Sequence, residues 1–137
     1  MHVVSIMYPR ENAQSSFDME HYLSVHLKLG FRLMKKHFGV VPEKALVQHS
    51  TRGMDNSPRS ARYLTICWVC FKSRADADLF VDVFGIEEVA QALTTDWSNY
   101  CPLPPDIVIG EVMELSGEEV VTDADAVLQR LGIALTT

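Results

Sequence analysis

The stretch Ala61-Arg-Tyr-Leu-Thr-Ile-Cys-Trp-Val-Cys-Phe71 constrains the fold more than any other part of the chain. Its β-branched and aromatic residues mark it as a strand. Successive side chains of a strand point to opposite faces. One face then carries Tyr63, Thr65, Cys67, Val69 and Phe71, and the other Leu64, Ile66, Trp68 and Cys70. Neither face is polar, so both must be covered. Helices of one small domain can cover one face of a small sheet. The other face needs a second sheet, most simply from a second copy of the chain, and a homodimer is expected.

Around this strand the chain reads as β-α-β-β-α-β. Residues 2–8 form a strand ending at Pro9. Asp18 is placed to cap a helix that runs from Met19 to Phe38 and closes at Gly39, with Phe17 and Tyr22 in hydrophobic-staple positions. Residues 43–49 are extended. Residues 50–60 are a Gly-, Pro- and Asn-bearing loop, either a cover over a site or disordered. Ser73 caps a second helix with Asp76 as its acidic partner, and Gly85 breaks it. A further helical stretch covers 86–93. Asp96 to Pro105 reads as a proline-stiffened connector, and the last strand as about 106–115. This order is the split βαβ arrangement, an α+β ferredoxin-like fold with a four-stranded antiparallel sheet and both helices on one side. The length of 137 residues fits one such domain over 1–115, with 116–137 as a C-terminal extension. Within that extension, Ala126, Val127, Leu128 and Leu131 suit a short amphipathic helix from Asp123.

The first helix carries the chemistry. Met19, Tyr22, Leu23, His26, Leu27 and Gly30 fall on one face at helical spacing. A histidine on an apolar stripe is more often a satisfied core residue than a functional one. His26, however, has Tyr22 one turn away, so the same face offers an imidazole and a phenol. An imidazole exchanges protons near neutral pH. His21, five positions from His26, points away from it on an α-helix. His37 shares the His26 face but lies about 16 Å along the axis. His49, near the end of the second strand, reaches the same pocket if it faces inward. Trp97 and Tyr100 sit in the connector, where aromatic side chains tend to line cavities. Tyr8, Phe31 and Trp68 complete the aromatic candidates.

Several functions are excluded. The net charge is −6, and the chain lacks the basic cluster that phosphate contacts require, so neither nucleic acid nor an anionic membrane is a partner. No apolar run is long enough to span a bilayer, and the N-terminus does not read as a signal peptide. Three cysteines without scaffold spacing point to free thiols and a cytoplasmic setting. Cys67-Trp-Val-Cys70 is not a metal or redox pair, because residues three apart on a strand diverge. No metal set and no nucleotide or phosphate loop is present. Catalysis, if any, rests on side chains and substrate alone, without a cofactor.

Phe17-Asp18, Tyr22 and His26-Leu27, followed by Asp96-x-x-Asn99-Tyr100, Pro105 and Ile109-Gly110-Glu111-Val112, resemble the EthD family over about residues 2–115. The resemblance implies a dimeric α/β barrel: two ferredoxin-like subunits whose sheets face each other. It implies a cavity between sheet and helices for a small hydrophobic or aromatic, phenolic or polyketide-like molecule. Similar proteins carry out cofactor-independent isomerisation, cyclisation, decarboxylation or oxygenation, and others in the group bind haem, for which His26 or His49 is the axial candidate. His26 and Tyr22 occupy the family's helix-1 histidine and aromatic positions, as catalytic candidates. Tyr8, Phe31, His49, Trp68, Asp96, Trp97 and Tyr100 are the substrate-binding candidates. A non-catalytic ligand-binding or accessory protein is the alternative. The chain departs from the family pattern at Lys28, which stands where proline is typical, so the helix is expected to continue more regularly past His26.

Overall fold

Four strands and a helical layer arise close to where the sequence places them. In the computed structural model, which describes residues 1–130 and 132, the strands are β1 (His2–Pro9), β2 (Lys44–His49), β3 (Tyr63–Phe71) and β4 (Asp106–Glu111). They form one antiparallel sheet in the order β2-β3-β1-β4. The helices are α1 (Met19–His21), which runs through a π-helical turn (Tyr22–Leu27) into α2 (Lys28–Phe38), then α3 (Arg74–Val83), α4 (Glu87–Trp97) and α5 (Gly117–Arg130). The fold is ferredoxin-like α+β.

Local chemistry sets the boundaries. The Asp18 carboxylate accepts from the His21 amide at 3.0 Å, and Phe17 packs on Tyr22 with ring centroids 5.1 Å apart, a cap and a staple together. Gly39 ends the run at φ 70°, a left-handed geometry that glycine adopts without strain. Ser73 accepts from the Asp76 amide at 3.1 Å. Beyond Glu111 the last strand runs out of partner, because β1 begins at His2, which faces Glu111, and only the Val112 amide still finds an acceptor, the Met1 carbonyl at 2.9 Å. The strand therefore stops short of the expected 115. The tail helix starts earlier than Asp123. Ser116 accepts from the Glu119 amide at 3.0 Å, and Glu119 accepts from the Ser116 amide at 3.3 Å, a reciprocal capping box. Val127 is its buried residue, and Leu131 lies outside the described residues.

Register fixes what each sheet face carries. Val4 stands between Val69 and Ile109, and Ile6 between Cys67 and Ile107. With Tyr8 and Phe71, these β1 and β3 residues form the core face, packed against Tyr22, Met34, Ala77, Phe80 and Tyr100. A second cluster of Leu33, Val83, Val89 and Leu93 ties the helices together. On the opposite face, Leu46, Trp68, Ser5 and Val108 lie in one row across the four strands. Trp68 and Cys70 there line a cavity of about 680 Å³ with Leu46, Val112, Met113 and Leu115. Cys67 and Cys70 thus diverge to opposite faces, and both are free thiols.

The loop over 50–60 is organised by its own turns. Asp55 accepts from the Ser57 amide and the Ser60 hydroxyl, and Arg10 ties the loop to the end of β1 through the carbonyls of Pro58 and Ala61.

Candidate functional site

The helical run between Asp18 and Gly39 is not a regular α-helix. Over Tyr22–Leu27 it widens into a π-turn. The Ser24 hydroxyl donates to the Glu20 carbonyl at 2.6 Å, the acceptor that the Ser24 amide would use in an α-helix. Past Leu27 the helix resumes and continues to Phe38, in line with Lys28 in place of a proline. The irregularity lies before Lys28.

This turn overturns the expected direction of His21. Residues five apart on an α-helix are about 140° apart around the axis. In a π-turn, whose hydrogen bonds run from i to i+5, they come to the same side. His21 and His26 consequently reach one carboxylate, that of Asp96. His21 Nε2 lies 2.8 Å from Asp96 Oδ1, and His26 Nδ1 lies 3.0 Å from Oδ2. Asn99 Nδ2 donates to Oδ1 at 3.0 Å.

Asp96 reaches this place because α4 runs on to Trp97, four residues past the expected end. The connector begins at Ser98, and only from there do the prolines act. Asp96 is 9% exposed. Burial pulls its carboxyl up, but the hydrogen bonds from Asn99, His21 and His26 outweigh that and hold it below the ordinary carboxylate value. Burial is also the largest influence on His26. It holds the imidazole below its usual range, and the hydrogen bond and charge of Asp96 oppose it only in part. At neutral pH His26 is therefore an uncharged base.

Two aromatic rings lie against this base, and two more pack behind them. Tyr22 stacks on His26 with centroids 5.9 Å apart, and Tyr100 lies against it at 4.6 Å. Tyr8 and Phe17 pack edge-on or tilted against both tyrosines. The Tyr100 hydroxyl donates to that of Tyr8 at 3.1 Å. Burial raises the pKa of all three phenols, so they remain protonated donors. The Tyr22 hydroxyl is fully buried and makes no well-formed hydrogen bond, with the Tyr8 hydroxyl and the Cys67 thiol as its polar neighbours. Buried polar groups are almost always paired, and an orphan calls for a bound water or ligand.

A cavity of about 40 Å³ opens beside this cluster, lined by Tyr8, Tyr22, His26, Phe31, Phe80 and Leu93 among others. It lies between the sheet and helices α2, α3 and α4. Its volume suits one or a few waters. Outside Tyr100 lies an open polar groove of about 570 Å³ between residues 11–18 and 98–102. Tyr100 thus borders the groove and packs on His26 as well.

The architecture matches that of a solved structure. An EthD-like protein from Ralstonia eutropha JMP134 superposes with a TM-score of 0.64 at 17% identity, over 85% of this chain and 96% of that one. The fold is the EthD-like one. An ethyl tert-butyl ether D (EthD) family protein from Bacillus halodurans C-125 gives a TM-score of 0.49 at 15% identity, over 82% of this chain and 97% of that one. No family's sequence model matches the chain, and no curated protein does.

Within this EthD-like fold the candidate residues separate into groups. Tyr8, Tyr22, His26 and Phe31 line one cavity, and Asp96 and Tyr100 contact His26 directly. Trp97 packs against the core from the last turn of α4. Trp68 is not part of this group, since it lies on the other face of the sheet. His49 is exposed at the end of β2. A haem does not suit the arrangement, because the cavity of about 40 Å³ is far too small for it. Among the described residues no cluster of three or more His, Cys, Asp or Glu is arranged to hold a metal ion. Sequence reasoning missed His21 as a partner of Asp96, and no spacing rule marks a π-turn in advance. Asn99 stood inside a quoted motif without a role.

Proposed function

We propose that the protein is a cofactor-independent enzyme acting on a small hydrophobic or aromatic molecule, phenolic or polyketide-like, by acid–base chemistry at His26. The supporting observation is that a carboxylate-anchored imidazole and a phenol that makes no well-formed hydrogen bond line the same buried cavity. With Nδ1–H bound to Asp96, His26 presents Nε2 as the base, and among the described residues Nε2 has no hydrogen-bond partner. It removes a proton next to a carbonyl or from a phenol and returns it to the same or another atom. The Tyr22 hydroxyl, with Tyr100 as second donor, stabilises the oxyanion that forms. Among the described residues no lysine or arginine lines the cavity. A neutral ligand is therefore favoured over an anionic one. Isomerisation and cyclisation begin from such a proton transfer, as does oxygenation when O2 then adds to the carbanion, whereas in a decarboxylation His26 would deliver the proton to the carbanion left as CO2 departs.

Ligand cavities run to about 300–1,000 Å³, so a site of about 40 Å³ is closed. Binding requires Tyr100 or the layer formed by α2, α3 and α4 to move. A homodimer through the outer sheet face accompanies this reading. Val108 is 55% exposed and Leu46 52% exposed on that face, and β4 has one open edge. An apolar open edge is a pairing surface unless it is covered. Residues 1–115 form the functional domain, and residues 116–137 extend it. The cysteines, all unpaired among the described residues, suit the cytoplasm. No helix among the described residues is long and apolar enough to cross a membrane.

The test is a panel of small phenolics, aryl ketones and lactones, read by thermal shift and then by product formation, with His26→Ala as control. Stabilisation plus turnover that the variant loses supports the enzyme. Saturable binding without product makes the protein a ligand-binding or accessory protein.

A further inference from the structure

We propose that His21 is a positioning residue of this site, fixing through Asp96 the ring orientation, tautomer and basicity of His26. The inference rests on the reading of His26 as the acid–base group.

A carboxylate only accepts hydrogen bonds, so each group around Asp96 must donate. His21 gives Nε2–H and Asn99 gives Nδ2–H to Oδ1, while His26 gives Nδ1–H to Oδ2. Two donors on one oxygen and one on the other leave the carboxylate little freedom to rotate. A fixed Oδ2 in turn holds the His26 ring with Nδ1 protonated and Nε2 free. His21 reaches Oδ1 only because of the π-turn. A regular α-helix would turn it away and leave Asn99 alone on that oxygen.

His21 also connects the site to solvent. Its side chain is 26% exposed, against 11% for Asp96 and 9% for His26. His21 also acts on the His26 ring through charge: it adds to the dominant effect of burial in opposing a proton there, while Asp96 favours one. The other groups facing His26 are the phenols of Tyr22 in the π-turn and Tyr100 in the connector, with Tyr8 of β1 behind them. None of these carries a positive charge. Among the described residues that face His26, His21 is thus the neighbour whose charge weakens it as a base.

The experiment is histidine imidazole 15N NMR across a pH series on the ligand-free protein, comparing wild type with His21→Ala and His21→Gln. In the wild type, His26 is expected to show the Nδ1–H tautomer alone. His21→Ala is expected to give a mixture of tautomers and an upward shift of the His26 titration midpoint. In His21→Gln the amide donates to Oδ1, so the single tautomer returns, while the midpoint stays raised because the charge is absent. A purely structural role for His21 would not separate these two readouts. An Nε2–H tautomer of His26 in the wild type overturns the proposal even if neither variant folds. So does an unchanged tautomer and midpoint in both folded variants. The function reading fails separately, through His26→Ala retaining turnover, and that result would leave this NMR pattern untouched.

Discussion

Asp96 and His26 are 70 residues apart in sequence and 3.0 Å apart in the fold. The pair joins the last turn of α4 to the π-turn, so the same contact that orients the imidazole also closes the helix layer over the core face of the sheet.

Removing that carboxylate has a structural and a chemical consequence. Asp96→Ala leaves His21, His26 and Asn99 without their acceptor. Hydrogen bonds to a charged group are worth about 1.5–3 kcal/mol, and a loss of that order is expected in denaturant unfolding. His26 also loses the influences that raise its pKa, so its midpoint falls further. A variant as stable as wild type would show that the cluster is incidental.

Tyr22→Phe is expected to behave in the opposite sense. It removes a buried hydroxyl that makes no well-formed hydrogen bond, and an unsatisfied buried group costs up to about 1–3 kcal/mol. The variant should unfold at higher denaturant than wild type, yet bind or turn over a phenolic ligand less well. Destabilisation would mean that the hydroxyl is satisfied in the free protein.

The pH dependence of stability follows from His26. Its folded pKa lies below the unfolded value of 6.5. Between the two values the unfolded chain binds the extra proton. Stability from this group is therefore complete above 6.5 and is lost as pH falls through the folded pKa. Asp96, lowered from 3.8, adds a second loss in more acid solution. Unfolding midpoints of wild type from about pH 8 down to about pH 5 should fall, and His26→Gln should flatten the curve. An equal slope in both proteins would assign the effect elsewhere.

The homodimer is tested on the outer sheet face. Val108→Lys places a charge on an exposed strand position. In a monomer such a change stays within about 0.5 kcal/mol. In a dimer closed over this face it should halve the mass seen by light scattering and leave the fold intact. A wild-type monomer at micromolar concentration would contradict the two-faced strand argument.

Periodicity and capping made most of the fold legible. Asp18, Ser73 and Gly39 mark helix ends by local chemistry that needs no tertiary context, and Tyr63–Phe71 announces its two covered faces by alternation. The site was only half legible. Tyr22 and His26 stand out on the helix face, but a π-turn spans six residues, too few for a hydrophobic period to register the change from 3.6. Asp96 was misplaced in the connector for a physical reason. A carboxylate in the last turn opposes the helix dipole, so nothing local favours helix there. The donors His21 and His26, distant in sequence, offset that cost. Trp68 was grouped with the site because alternation alone does not say which face looks toward the helices.

The most direct test of the account is deuterium incorporation, in deuterated buffer, at the acidic carbon of a small aryl ketone that stabilises the protein in the thermal-shift panel. Positioned acid–base catalysis is worth about 10²–10⁴ in rate. The account predicts incorporation by wild type that falls by that order in a folded His26→Ala protein. Equal incorporation by the two proteins would remove His26 from the chemistry and contradict the central claim.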